Sequence, residues 1–175
     1  MVGDRRRSRL TAGAIAFAAL VGGAACGDDE DPAAKPDSVE AVADAYVAAL
    51  DATLPPTDEG ADPVVVYVWQ FAEKPMSLDD QVVVIDDLAE RYDVRFVDEV
   101  DAAVDPDVTL APPRDDGLLV GLGPVTVDAP HTVRVEIYAN EDAIEAVVLT
   151  LVRRDELWTV TAEETVEPEV LGAVI

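Results

Sequence analysis

Cysteine, histidine, lysine and serine are all scarce in this chain. Its 175 residues hold one cysteine, Cys26, one histidine, His131, two lysines, Lys35 and Lys74, and three serines, Ser8, Ser38 and Ser77. A single cysteine excludes an internal disulfide and a thiolate metal cluster. Zinc sites draw on several histidines or cysteines, so no metal site is expected. Ser38 and Ser77 both stand where a helix begins, which leaves a Ser-His-Asp triad without a nucleophile. P-loop, dinucleotide-binding glycine run and HExxH motif are all missing, so no cofactor is expected either. No apolar run reaches the roughly 20 residues of a membrane-spanning helix. The apolar stretch before Cys26, 10–25, has 16.

Positive charge is the next deficiency. The chain has 12 Lys and Arg against 37 Asp and Glu. Four of the basic residues and one acid fall in residues 1–25, so residues 26–175 carry 8 basic against 36 acidic residues, a net charge of about −28. Such a surface repels the phosphates of nucleic acid, and nucleic-acid binding is excluded as a role. It also repels anionic lipid headgroups. The acids are spread along the whole length, which reads as solubility or salt adaptation of the entire surface rather than as one patch.

The N-terminus has three zones. Arg5, Arg6, Arg7 and Arg9 precede the uncharged stretch LTAGAIAFAALVGGAA, which ends in small residues. Cys26 follows, and then Gly27-Asp28-Asp29-Glu30-Asp31-Pro32. A basic start, a short apolar segment and small residues before a processing point mark a secretory signal. The arginines hold their end in the cytoplasm and send the rest outward. Gly23-Ala24-Ala25-Cys26 resembles the lipobox of bacterial lipoproteins, with Gly23 in the place where leucine is usual. That resemblance implies cleavage before Cys26 and lipid on its sulfur. It gives a membrane partner through that lipid and a location on the extracytoplasmic face of the cell membrane. Arg6-Arg7-Ser8-Arg9-Leu10 loosely resembles a twin-arginine signal, but Arg9 occupies an aromatic's place, which favours the general secretion route.

Four segments are expected: a signal peptide at 1–25, an acidic disordered tether at 26–37, a single domain at 38–166 and a C-terminal tail at 167–175. The tether is acidic and interrupted by Pro32 and Pro36. In the domain, Val39, Val42, Tyr46 and Leu50 recur at helical spacing over 38–51, with Asp37 or Ser38 as the cap. The run PVVVYVWQF at 63–71 is a strand, apolar enough to be central and covered on both faces. Ser77 and Asp80 have capping-box spacing for a second helix. Strands are expected at 94–97, 118–127, 132–138, 143–153 and 157–163. In 132–138, Val133, Val135 and Ile137 point inward, and Arg134, Glu136 and Tyr138 outward. Arg154-Asp155-Glu156 is a tight turn. The order predicts an α+β fold, with two helices on a curved antiparallel sheet ending in a four-strand meander. The closing stretch 132–165, with its RRDELWTV hairpin, resembles the end of nuclear-transport-factor-2-like and cystatin-like folds, which implies strands curled into a cone.

His131 follows Asp128-Ala129-Pro130 and reads as a solvated turn histidine. In cone-shaped enzymes of the resembled fold, a His and an Asp in the cavity do acid–base work. Asp98, Glu99, Asp101, Asp105 and Asp107 cluster, but without EF-hand spacing, and read as a solvated acidic face. Trp69 and Trp158 read as core. No residue is singled out as catalytic or ligand-binding, and Cys26 is the one assigned site. The functional expectation is a lipid-anchored, non-catalytic module of the cell envelope that binds a small ligand or another envelope protein. The alternative is a small cavity enzyme, an isomerase or hydrolase, on a cone fold.

Overall fold

A computed structural model describes residues 39–58, 60–108, 110–140 and 143–171. Cys26, the signal peptide, the tether and the Asp37 or Ser38 cap lie outside the described residues. The elements run α1 (Val39–Thr53), β1 (Val64–Gln70), α2 (Leu78–Leu88), β2 (Tyr92–Val97), β3 (Leu118–Leu122), β4 (His131–Asn140), β5 (Ala143–Arg154) and β6 (Leu157–Val166). The class is α+β. No described helix is long and apolar enough to cross a membrane.

The six strands form one open sheet in the order β2-β1-β3-β4-β5-β6. Its second half is the expected four-strand antiparallel meander, β3 to β6. Its first half corrects the expectation of an antiparallel sheet, because β1 pairs parallel with both β2 and β3. A parallel pair needs a crossover of a dozen or more residues. The segments 71–91 and 98–117 are long enough, and both make one. The mixed, open sheet departs from the antiparallel cone that the resemblance implies.

The two crossovers lie on opposite faces, and this explains the composition of β1. Val66 and Val68 pack under α1 and α2 with Val94, Val120, Leu122, Leu149 and Leu151. Tyr67, with half-buried Val65 and Trp69, packs under the second crossover with Val100, Ala103, Val104, Leu119 and Tyr138. Both faces of β1 are covered, so neither set of alternating residues is polar. Gly117 enters β3 so close to β1 that a Cβ there would sit 2.6 Å from the Val65 carbonyl oxygen.

Local signals fix the element ends. Ser77 Oγ accepts from the Asp80 N–H at 3.2 Å, and Asp80 accepts from the Ser77 N–H at 3.3 Å, a reciprocal capping box on α2. β5 and β6 are joined by Asp155 and Glu156, with φ of 48° and 68°. Two consecutive positive φ values define the two-residue turn whose twist matches a hairpin. β6 is an edge strand with a bulge where its register against β5 shifts between Thr150 and Leu151, one device that discourages edge-to-edge pairing. The strand expected at 118–127 ends at Leu122, because the chain turns away from the sheet at Gly123-Pro124.

Candidate functional site

The termini of the parallel strands and the ends of the meander fall on one edge of the sheet. Gln70, Val97 and Leu122 end β1, β2 and β3 there, and the antiparallel pairings bring the start of β4, the end of β5 and the start of β6 to the same edge. Tyr46 of α1 reaches this edge as well, its hydroxyl oxygen accepting from the Val125 N–H at 3.3 Å.

An open cleft of about 580 Å³ lies at this edge, lined by Pro130, His131, Leu151, Val152, Arg153, Asp155 and Glu156 among others. His131 opens β4 opposite Leu151, and Arg153 lies opposite Trp158 across β5 and β6. His131 is not the solvated turn residue expected from sequence: it is 7% exposed. The Trp158 ring, itself part of the core, meets the imidazole edge-on at 5.2 Å and 88°. His131 Nδ1 lies 2.9 Å from the Thr126 carbonyl oxygen. A carbonyl only accepts, so Nδ1 carries the proton in that bond and, in the neutral ring, Nε2 is left as the acceptor. The packing of an aromatic ring on one side and a β-strand on the other buries the histidine.

Arg153 stands out by what it does not do. Among the described residues it makes no ion pair, and its Nε is buried without a hydrogen-bond partner. Arg154 beside it also makes no ion pair among the described residues but is exposed to water, and four other arginines are engaged. Arg91 pairs with Asp51, Arg95 with Asp93 and Asp115 at 2.6 and 2.7 Å, and Arg134 with Glu136 at 2.8 Å. Arg114 donates to the Val104 carbonyl at 3.0 Å.

Glu136 is the most buried acid and was read from sequence as outward-facing. It does lie on the face away from α1 and α2, but that face is covered and the side chain is 0% exposed. Its carboxylate accepts from Arg134 Nε at 2.8 Å and from the N–H groups of Glu169 at 3.1 Å, Val170 at 3.1 Å and Leu171 at 2.7 Å. Arg134 also donates to the Glu167 carbonyl. Burial alone pushes the Glu136 pKa up, but the Leu171 and Glu169 amides, Arg134 and the Val170 amide together outweigh it and hold the carboxyl below the usual 4.5. Four donors converge on one carboxylate, so this buried charge holds the chain in place and has no oxygen left for chemistry. Residues 169–171, in the stretch expected to form a tail, dock here, and Leu171 is fully buried against the second cluster. Tyr138, also read as outward, is buried with its hydroxyl 2.7 and 2.9 Å from the Leu110 and Ala111 carbonyl oxygens.

Asp115, at φ 58°, is held in a left-handed conformation by the Tyr67 hydroxyl at 2.8 Å and by Arg95. Those two donors, Tyr67 first, hold its pKa below the ordinary carboxylate value. The acids Asp98, Glu99, Asp101, Asp105 and Asp107 are exposed on the crossover whose Val100, Ala103 and Val104 are buried. No group of three or more His, Cys, Asp or Glu is arranged to hold a metal ion among the described residues. A smaller crevice of about 330 Å³ lies at the ends of β1 and β2, bounded by Gln70, Gln81, Phe96 and Asp98. Gln70 spends its carbonyl on the Met76 N–H at 2.9 Å.

The fold and site therefore define a class, an open mixed α+β sheet with a mixed-charge cleft at the strand-end edge. Against protein-family models, curated proteins and solved structures, the chain shows no match.

Proposed function

We propose that the chain is a lipid-anchored, non-catalytic binding module of the cell envelope, cleaved before Cys26 and held on the outer face of the membrane by lipid on that cysteine. One observation carries the binding reading. The space between the helices and the sheet is filled by fully buried side chains, among them Leu50, Val66, Val68, Leu88, Val120, Leu122 and Leu149. An enclosed reaction chamber has no room there, and the cleft of about 580 Å³ is open at the sheet edge. The acidic surface argues against nucleic acid as a partner. A small ligand or another envelope protein suits the cleft and its surroundings.

Anchoring is tested by fractionating cells that express the full chain or Cys26→Ser. Wild type should sit in the membrane fraction with lipid mass on its N-terminal peptide, and the variant should leave that fraction or keep residues 1–25. Equal partitioning without lipid mass would sink the anchor. Binding is tested by Trp158 fluorescence, since its ring touches His131 at the cleft.

A second reading is a small acid–base enzyme. His131, Asp155 and Glu156 line the same cleft, and a histidine with a carboxylate is a minimal proton-transfer set. A screen for hydrolase and isomerase turnover separates the two. Activity in wild type that collapses in His131→Ala would replace the binding module with the enzyme.

A further inference from the structure

We propose that the His131 cleft is a site for a small zwitterion, a free α-amino acid with an apolar side chain; this rests on the binding reading above and names its ligand class. The cleft is lined by charges of both signs that do not meet. Arg153 supplies a guanidinium, and Asp155 and Glu156 supply two carboxylates. Among the described residues no carboxylate oxygen comes within ion-pair distance of Arg153, in a chain rich in acids. The Nε of Arg153 is nonetheless buried and lacks an acceptor. A buried donor without an acceptor is a costly arrangement. With Nε closed to solvent, a carboxylate brought by a ligand engages the guanidinium through its terminal nitrogens, with charge-assisted bonds in its plane.

The rest of the lining selects among anions. The net charge of −25 repels a ligand whose own net charge is negative. A zwitterion has no net charge to be repelled. Its ammonium group is suited to Asp155 and Glu156, which the left-handed turn presents at the same cleft. Leu151 and Val152 give an apolar wall, and His131, braced by Trp158, closes one side. One cation, two acids and an apolar wall match the three parts of an apolar amino acid: carboxylate, ammonium and side chain.

The test is isothermal titration calorimetry on the full chain with three probes of similar size: leucine, isocaproate, which lacks the ammonium, and isoamylamine, which lacks the carboxylate. Leucine should bind at least about tenfold more tightly than either single-charge probe, about 1.4 kcal/mol. Arg153→Gln should reduce leucine to the level of isoamylamine. Asp155→Asn with Glu156→Gln should reduce it to the level of isocaproate. Both variants alter the rim and should keep the wild-type circular dichroism. Isocaproate or isoamylamine binding as tightly as leucine overturns the zwitterion while leaving a binding module in place. No binding of any probe at millimolar concentration overturns it too, and extracted cellular ligands then decide the wider reading through Trp158 fluorescence.

Discussion

Under α1 and α2 the sheet buries aliphatic side chains, with Tyr92 the one aromatic among its fully buried residues. Under the 98–117 crossover it buries Tyr67, Tyr138 and the charged Glu136, and the cover is irregular chain plus residues 169–171. The helix-covered face is held mainly by packing, which is non-directional. The other face is held by directional bonds converging on a carboxylate and two phenols. The contrast teaches that a helix can cover a sheet with its own hydrogen bonds already satisfied, whereas irregular chain brings unpaired N–H and C=O groups that the sheet must meet with polar side chains.

The sharpest way to break the contrast is Glu136→Leu. It leaves Arg134 and the amides of 169–171 without their acceptor and should cost about 3–5 kcal/mol in chemical denaturation. A loss below about 1 kcal/mol would mean that packing holds this face too. On the opposite face, Leu149→Ala should cost about 2–5 kcal/mol through lost contact and the cavity left behind. That loss should be the same at neutral and acid pH.

The pH dependence sharpens the contrast further. Glu136 is held below its ordinary pKa of 4.5 in the folded chain. Its contribution is therefore complete above that ordinary value and is lost as pH falls through the lower, folded value. Between neutral pH and about pH 3, wild type should lose more stability than Glu136→Gln, which has no carboxylate to protonate. Parallel pH profiles of the two proteins would remove Glu136 as the acid-sensitive group. The smallest effect belongs to the hairpin turn. Glu156 holds φ 68° at a position where glycine has no steric penalty. Glu156→Gly should raise stability by about 1 kcal/mol, and unchanged stability would place the strain elsewhere.

The same division runs through what can be read from the residues alone. The Ser77–Asp80 box, the two-sided apolar run of β1, the Asp155-Glu156 turn and the core place of Trp158 are all set by near neighbours, and all are legible. Alternation put Arg134, Glu136 and Tyr138 on one face correctly. It could not say that distant chain covers that face, because period-two spacing reports direction and not burial. The parallel pairing of β1 with β3 depends on where the crossover lands some fifty residues later, which no local pattern encodes. The cleft was hidden for the same reason. His131, Arg153 and Trp158 become neighbours only through the registers β4 against β5 and β5 against β6. The scarcity of positive charge was the available signal for Arg153, a cation without a neighbouring demand for it.

Three backbone amides that follow β6, at 169, 170 and 171, complete the ligation of Glu136. A polypeptide that emerges N-terminus first, from a ribosome or through a membrane pore, presents α1, β1 and α2 early and these three amides only after β6. Until they arrive, Glu136 is a carboxylate on an uncovered sheet face, best solvated by water. That face of the sheet therefore cannot close until residues 169–171 have emerged behind all six strands.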